Sequence, residues 1–187
     1  MASARLVSVL VLLLAALGDA RAASVSVMAF REGEAVVVEA SAELSAAPEL
    51  AWQTVTDYGA LADFIPDLEF SRVISRDGRR VRVEQKGTAA LLLLKRTFEV
   101  HLDIEEEPFR TVTSRAVAGS FRRMEGRYEL TPTLQGTRFA YTGRIEPDFW
   151  VPAFLETAAV RRAVARQFLA MVSEIERRAG AIARGGR

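Results

Sequence analysis

Few residues of this 187-residue sequence could act as nucleophiles or bind a metal ion. The chain has no cysteine, which excludes disulfides, thiolate metal sites and cysteine nucleophiles. Its one histidine, His101, alternates with Glu99 and Asp103 along a predicted strand. The two acids lie about 13 Å apart there, since each residue advances about 3.3 Å. They are too far apart to bind one ion with His101, so we predict an outward, solvated histidine and no metal site.

Hydrolytic chemistry is also disfavoured. No serine lies in a Gly-x-Ser-x-Gly context, and a second histidine is lacking. The acidic run at 105–107 precedes Pro108, and we interpret it as an exposed strand end. Proton transfer by a Tyr, Glu or Asp in a desolvated cavity remains open, but the sequence identifies no inward carboxylate. We therefore predict no catalytic residue and no cofactor.

Aromatic residues are the best candidates for a binding site. Ligand cavities are mostly apolar with a few placed polar groups, although aromatic side chains also dominate ordinary cores. Tyr128 and Tyr141 are the strongest candidates, because a buried phenol needs a polar partner and a ligand can supply one. The full predicted set is Phe64, Phe98, Tyr128, Phe139, Tyr141, Trp150, Phe154 and Phe168.

The composition indicates one folded domain. Half of the residues are hydrophobic, 26% are charged, and the net charge is only +1. Disorder is excluded by the apolar content, and a nucleic-acid partner is disfavoured because such proteins carry a marked basic excess.

The elements that must position these residues follow from periodicity. We predict a first strand, two short helices, about six further strands and one long helix from Pro152 to about Ala179. The predicted strands are 36–44, 68–76, 79–87, 91–105, 110–118, 121–131 and 137–145, and the short helices are 48–57 and 61–65. The apolar stripe of the long helix is Val160, Val164, Phe168, Val172 and Ile175, widened by Leu155 and Leu169.

This order predicts an α+β fold. A curved antiparallel sheet of about seven strands wraps around the long helix, which has only two short helices as other partners.

The first residues are predicted to be an export signal. An apolar run at 6–17 is followed by Ala20-Arg21-Ala22, a signal-peptidase pattern. We predict a signal peptide over 1–22, an extension over 23–34, the binding domain over 35–180 and a disordered basic tail over 181–187. The protein would then be periplasmic or secreted. An uncleaved membrane anchor is the alternative.

The motifs resemble the START-like, helix-grip (SRPBCC) superfamily, and most closely its coenzyme Q-binding and polyketide cyclase/dehydrase group. The resembling residues are Pro48 and Trp52, Thr56-Asp57-Tyr58, Phe64-Ile65-Pro66, Gly119-Ser120-Phe121, Gly126-x-Tyr128-x-Leu130 and Gly136-Thr137-Arg138-Phe139-x-Tyr141. The resemblance implies a deep apolar cavity between sheet and helix. It also implies a lipid, isoprenoid, sterol or polyketide ligand.

We therefore expect an exported carrier of one apolar small molecule that is lipid-like, isoprenoid- or quinone-like, or polyketide-like. A polyketide-type cyclase or dehydratase and a protein-interaction module without ligand are the alternatives. The basic helix residues Arg161, Arg162 and Arg166 could make transient contact with a membrane surface, or could form an ordinary solvated face. The oligomeric state stays open.

Overall fold

Alternating apolar and polar residues produce eight strands in the computed structural model, which describes the backbone of residues 25–91, 94–148 and 153–185. The strands are β1 (Val25–Glu32), β2 (Ala35–Leu44), β3 (Leu68–Asp77), β4 (Arg80–Leu91), β5 (Leu94–Glu107), β6 (Thr111–Gly119), β7 (Phe121–Thr133) and β8 (Gly136–Pro147). The helices are α1 (Pro48–Val55), α2 (Leu61–Phe64) and α3 (Ala153–Gly185).

All eight strands form one antiparallel sheet in the order β1-β2-β8-β7-β6-β5-β4-β3. Strands β3 to β8 are consecutive neighbours, and β8 then pairs with β2 near the beginning of the chain. The long helix α3 packs on β2 and β1 and also contacts β4, α1 and α2. The predicted α+β helix-grip architecture is confirmed.

The core lies between the inner face of the sheet and α3. The alternation in β5 works as predicted, because Val100, Leu102 and Ile104 are buried. On α3, the residues Val164, Phe168, Val172 and Ile175 are buried, as the stripe predicted. Leu169 departs from it, with 52% of its surface exposed; Met171 is buried on the stripe instead. The Leu155 side chain lies outside the described residues.

The N-terminal extension over 23–34 was not predicted to be part of the sheet, yet strand β1 forms there. Val25 to Glu32 pairs with β2 along its whole length, from Val25 opposite Ala42 to Glu32 opposite Ala35. Three alternate residues of β1, namely Val25, Val27 and Ala29, pack against the core. Helix α3 likewise continues to Gly185, through most of the predicted tail. Among the described residues, no helix is long and apolar enough to cross a membrane.

The two short helices close one end of the sheet. Proline suits the first turn of α1 because its missing N–H would have no partner there, and Pro48 is the first residue of that helix. Trp52 packs its ring 5.9 Å from that of Phe109 in the β5–β6 turn. Glu176 of α3 accepts a hydrogen bond of 2.7 Å from the backbone N–H of Ser45, just before α1. These contacts fix α1 between sheet and helix.

Candidate ligand-binding site

The inner face of strands β7 and β8 carries two tyrosines side by side. Tyr128 and Tyr141 are directly paired in the register, and the next inner pair along the strands is Gly126 with Gly143. The tyrosine rings lie 4.7 Å apart between centroids. The sheet therefore brings together the two residues that sequence analysis ranked highest.

An aromatic stack continues from the tyrosines to the long helix. The ring of Tyr128 stacks on Phe139 at 5.4 Å, and Phe139 stacks on Phe168 of α3 at 4.9 Å. Phe139 and Phe168 are almost fully buried. These four predicted residues form one contiguous cluster between sheet and helix.

The paired glycines explain the position of the Tyr141 ring. A Cβ atom at Gly143 would overlap the Tyr141 hydroxyl oxygen. A Cβ atom at Gly126 would lie 3.0 Å from a carbon of the same ring and 3.1 Å from Oγ of Ser114 on β6. The Tyr141 side chain thus lies along the sheet over two residues without side chains.

Neither phenol hydroxyl has a hydrogen-bond partner in the part of the chain that the structure describes. Burial raises the pKa of Tyr128 to about 12. Burial, and then the neighbouring Tyr128, raise the pKa of Tyr141. Both phenols therefore stay protonated at neutral pH and can donate. Because no hydrogen bond within the described residues engages either hydroxyl, both remain available to donate to an oxygen-bearing ligand.

A second polar cluster lies at the end of the inner face near α1. Glu106 of β5 is only 7% exposed. Its carboxylate accepts a 2.9 Å hydrogen bond from the Tyr58 hydroxyl and bonds of 2.7 and 3.1 Å from the guanidinium of Arg76. Burial, followed by the negative charge of Glu106, raises the pKa of Tyr58.

The prediction of an exposed acidic run at 105–107 is therefore wrong for Glu106. Glu105 and Glu107 are exposed, whereas the residue between them faces inward. The signal was present in the sequence, because the inward alternation of Val100, Leu102 and Ile104 continues to position 106. Interpreting the three glutamates as one solvated run hides this alternation.

The other predicted aromatic residues lie apart from the tyrosine cluster. Phe98 makes an edge contact with Phe121 at 5.8 Å, toward the opposite end of the strands. Phe64 lies at the end of α2, with the guanidinium of Arg178 at 6.0 Å from its ring centroid. Trp150 and the Phe154 side chain fall outside the described residues, so their predicted role stays a prediction.

The predicted basic surface of α3 is only partly free. Arg166 forms an ion pair with Asp67, which follows α2. Arg161 and Arg162 are exposed, as predicted. The transient membrane contact expected of Arg161, Arg162 and Arg166 stays a prediction, and of the three only Arg166 pairs with the loop after α2.

Comparison with known proteins identifies the fold. The sequence model of a family described as "Polyketide cyclase / dehydrase and lipid transport" matches residues 44–172. No curated protein matches the chain. The family match supports either ligand binding or a cyclase/dehydratase-like function.

Several solved structures have similar folds at low sequence identity. An aromatase/cyclase from Streptomyces sp. R1128 has a TM-score of 0.65 and 18% identity, covering 78% of this chain and 96% of that one. A START superfamily protein from Mycobacterium smegmatis has a TM-score of 0.66 and 16% identity, covering 75% and 97%. A STAR-related lipid transfer protein from Xanthomonas axonopodis has a TM-score of 0.65 and 16% identity, covering 81% and 93%.

Proposed function

This chain belongs to the polyketide cyclase/dehydrase and lipid transport family, and from that premise we propose that it is a carrier of one apolar small molecule. The ligand is lipid-like, isoprenoid- or quinone-like, or polyketide-like, and it lies between the curved sheet and α3. The observation that carries the proposal is the inward pair of half-buried Tyr128 and buried Tyr141, whose hydroxyls lack partners among the described residues.

The tyrosine pair also specifies a feature of the ligand. Both phenols are neutral donors, so the complementary ligand atom is an oxygen acceptor such as a carbonyl, a hydroxyl or an ether. The stacked rings of Tyr128, Phe139 and Phe168 favour an apolar body next to that oxygen. A saturated hydrocarbon without oxygen would leave both hydroxyls unpaired.

The test compares retention of ligands that co-purify with the protein, measured by native mass spectrometry and lipid extraction. Tyr141→Phe keeps the ring and removes only the donor, so we expect ligand retention to fall about tenfold, the value of roughly one hydrogen bond. Tyr58→Phe is the matched control, since Tyr58 is equally buried but bonds to Glu106. Equal retention by both variants would mean that Tyr141 is an ordinary core residue.

A second candidate function is cyclisation or dehydration of a polyketide-like substrate. Glu106 favours it, because an inward carboxyl group beside the Tyr58 hydroxyl places two groups capable of proton transfer at one point of the interior. The assay incubates the protein with candidate lipids, quinones and aromatic polyketides. Unaltered ligand bound in a 1:1 ratio, a stoichiometry expected for one site, supports the carrier. Multiple turnovers abolished by Glu106→Gln would establish the enzyme instead.

We also propose that the protein is exported. The apolar run at 6–17 and the Ala20-Arg21-Ala22 pattern support cleavage after Ala22. N-terminal sequencing of protein from the cell envelope should then begin at Ala23. Intact Met1 on cytosolic protein would contradict export.

Transient contact of α3 with an anionic membrane is a further part of the proposal. Arg161 and Arg162 would make this contact, because they are exposed and suited to anionic head groups. We expect the protein to cosediment with vesicles of anionic lipid, and the double variant Arg161→Gln, Arg162→Gln to lose this binding. Equal cosedimentation of the variant would contradict the contact.

A further inference from the structure

The outer face of the sheet holds three metal-ligand side chains that have no part in the interior site. Glu84 on β4 is paired directly with His101 on β5, and Glu99 lies two residues before His101 on the same face. One ligand atom from each residue lies within 4.8 Å of the other two. Nε2 of His101 is 3.7 Å from a Glu99 oxygen and 4.0 Å from Oε1 of Glu84.

The third residue of this cluster comes from the neighbouring strand. The alternation along β5 by itself offers only Asp103 as a third ligand, and this residue lies four positions after Glu99 and is too distant. Asp103 is in fact engaged by Arg82, with hydrogen bonds of 2.6 and 2.9 Å. Adjacent strands are only about 4.8 Å apart, so Glu84 on the neighbouring strand reaches His101. Asp103 lies too far from Glu99 along β5 to share an ion with it.

Glu84 is held in an orientation that suits a ligand. The residue is only 9% exposed, and its Oε2 accepts a 2.6 Å hydrogen bond from Nε of Arg72. In the described part of the chain, its other oxygen, Oε1, accepts no hydrogen bond and faces the imidazole. A carboxylate oxygen can accept several partners, and this one is available for another. A cation at this position would satisfy it, with Arg72 acting as the outer partner that fixes the ligand.

The donor set selects the class of ion. Two carboxylates and one imidazole suit Zn²⁺ and related transition-metal dications, whereas Mg²⁺ and Ca²⁺ prefer oxygen ligands alone. Metal–ligand bonds of about 2.0–2.2 Å place neighbouring ligand atoms roughly 3.3 Å apart. The present spacings need only small rotations to reach that value, and Glu99, at 55% side-chain exposure, is free to make them.

We propose that Glu84, Glu99 and His101 form a binding site for a zinc-type divalent ion on the outer face of the sheet. The three side chains supply three ligands, and water completes the coordination from the solvent side. The bound ion joins β4 to β5. This site is separate from the interior ligand site and does not depend on the proposed carrier function.

The single histidine makes the test direct. Zn²⁺ is titrated into the tag-free protein, followed by calorimetry and by the imidazole NMR signals, which come only from His101. We expect saturation at one ion per chain together with a shift of those signals. His101→Ala and Glu84→Gln should each weaken binding at least about tenfold, since even outer partners of a metal ligand are worth 10–100-fold.

Glu105→Gln is the matched control, because Glu105 is an exposed acid on the same strand and face. It should bind Zn²⁺ as the parent does, and excess Mg²⁺ should not compete. Unshifted imidazole signals at saturating Zn²⁺, or equal affinity of His101→Ala and the parent, would overturn the proposal. The NMR readout needs no variant, so the outcome does not depend on whether the substitutions fold.

Discussion

At the scale of residues, two glycines determine where the ring of Tyr141 lies. Gly126 and Gly143 face each other across β7 and β8, and the ring of Tyr141 occupies the space above them. The ring and its hydroxyl can take this position only because neither glycine has a Cβ atom. The geometry of the candidate site therefore depends on residues that cannot contact a ligand through a side chain.

Alanine at these two positions should have unequal effects. In Gly143→Ala the new methyl group would overlap the Tyr141 hydroxyl, so we expect the free energy of unfolding to fall by about 1–3 kcal/mol, as for overpacked cores. Gly126→Ala meets its neighbours at 3.0–3.1 Å and should cost less. Urea denaturation of both variants measures the difference. Equal stability of the two variants would mean that the Tyr141 side chain can move to another rotamer without cost.

The inward placement of a side chain could be predicted where the two-residue periodicity of a strand was followed, and was missed where composition replaced it. Tyr128 and Tyr141 were placed on the inner face because Tyr128 alternates with Met124 and Leu130, and Tyr141 with Phe139 and Ile145, along their strands. Glu106 was missed because its acidic neighbours hid the same alternation. Glu84 could not be placed beside His101 without the register of β4 and β5, which depends on pairing between strands and not on either strand alone.

At the scale of elements, polar contacts hold the C-terminal part of α3 to the segment containing α1 and α2. Glu174 binds both Arg177 and Arg178 at 2.7 Å, and Arg178 also donates to Asp57 at 3.2 Å. Hydrogen bonding from Arg177, followed by the other effects of the two arginines, lowers the pKa of Glu174 to about 2. Glu174 thus orients the arginine that reaches Asp57.

This lowered pKa predicts an acid-dependent loss of stability. The contribution of Glu174 is complete above its ordinary pKa of 4.5 and is lost as the pH falls toward 2. Arg177 is 65% exposed, so solvent screening limits the contribution to at most about 1 kcal/mol. The measurement is the free energy of unfolding between about pH 6 and about pH 2, a range that spans both pKa values. We expect it to change less with pH for Glu174→Gln than for the parent protein. Exposed Glu43 provides the control, and Glu43→Gln should keep the parental slope. Parallel curves for all three proteins would contradict the assignment.

Strand β1 shows why the beginning of the domain was hard to predict. Its alternation of Val25, Val27 and Ala29 with polar or exposed residues is short and directly follows the proposed cleavage site. The helix that covers its inner face is more than 100 residues away in sequence, as the ion pair between Arg31 and Glu156 shows, with a separation of 125 residues. The alternation in β1 indicates a buried strand only once α3 is known to cover it.

Two truncations test whether β1 is part of the stable domain. A chain beginning at Ala23 keeps β1, and we expect its stability to match that of the full chain. A chain beginning at Glu34 removes β1, exposes the edge of β2 and loses the Arg31–Glu156 ion pair. We expect it to unfold at lower denaturant or to aggregate through the new edge. Identical urea midpoints would show that β1 is dispensable.

At the scale of the whole molecule, the sheet has two differently used faces. The inner face carries the apolar core, the tyrosine pair and Glu106, while the outer face carries charged pairs and the cluster around His101. A charged groove of about 630 Å³ on the outer face, lined by residues such as Arg80, Arg82 and Asp103, belongs to this second surface. The overall fold was predictable because element order and periodicity agree across the chain, whereas the composition of each polar cluster required the strand register.

The pairing of β2 with β8 determines how late in synthesis the sheet can be completed. Leu44 ends β2 and Gly136 begins β8, so about 90 residues are synthesised between them, which takes roughly 5–20 s at common rates. During that interval β2 has β1 on one side and no partner strand on the other, although most of its side chains are destined for the core. Only after β8 and then α3 emerge can the interior close. The growing chain would therefore expose apolar strand surface until α3 has emerged, and the proposed ligand could enter the interior only from that point on.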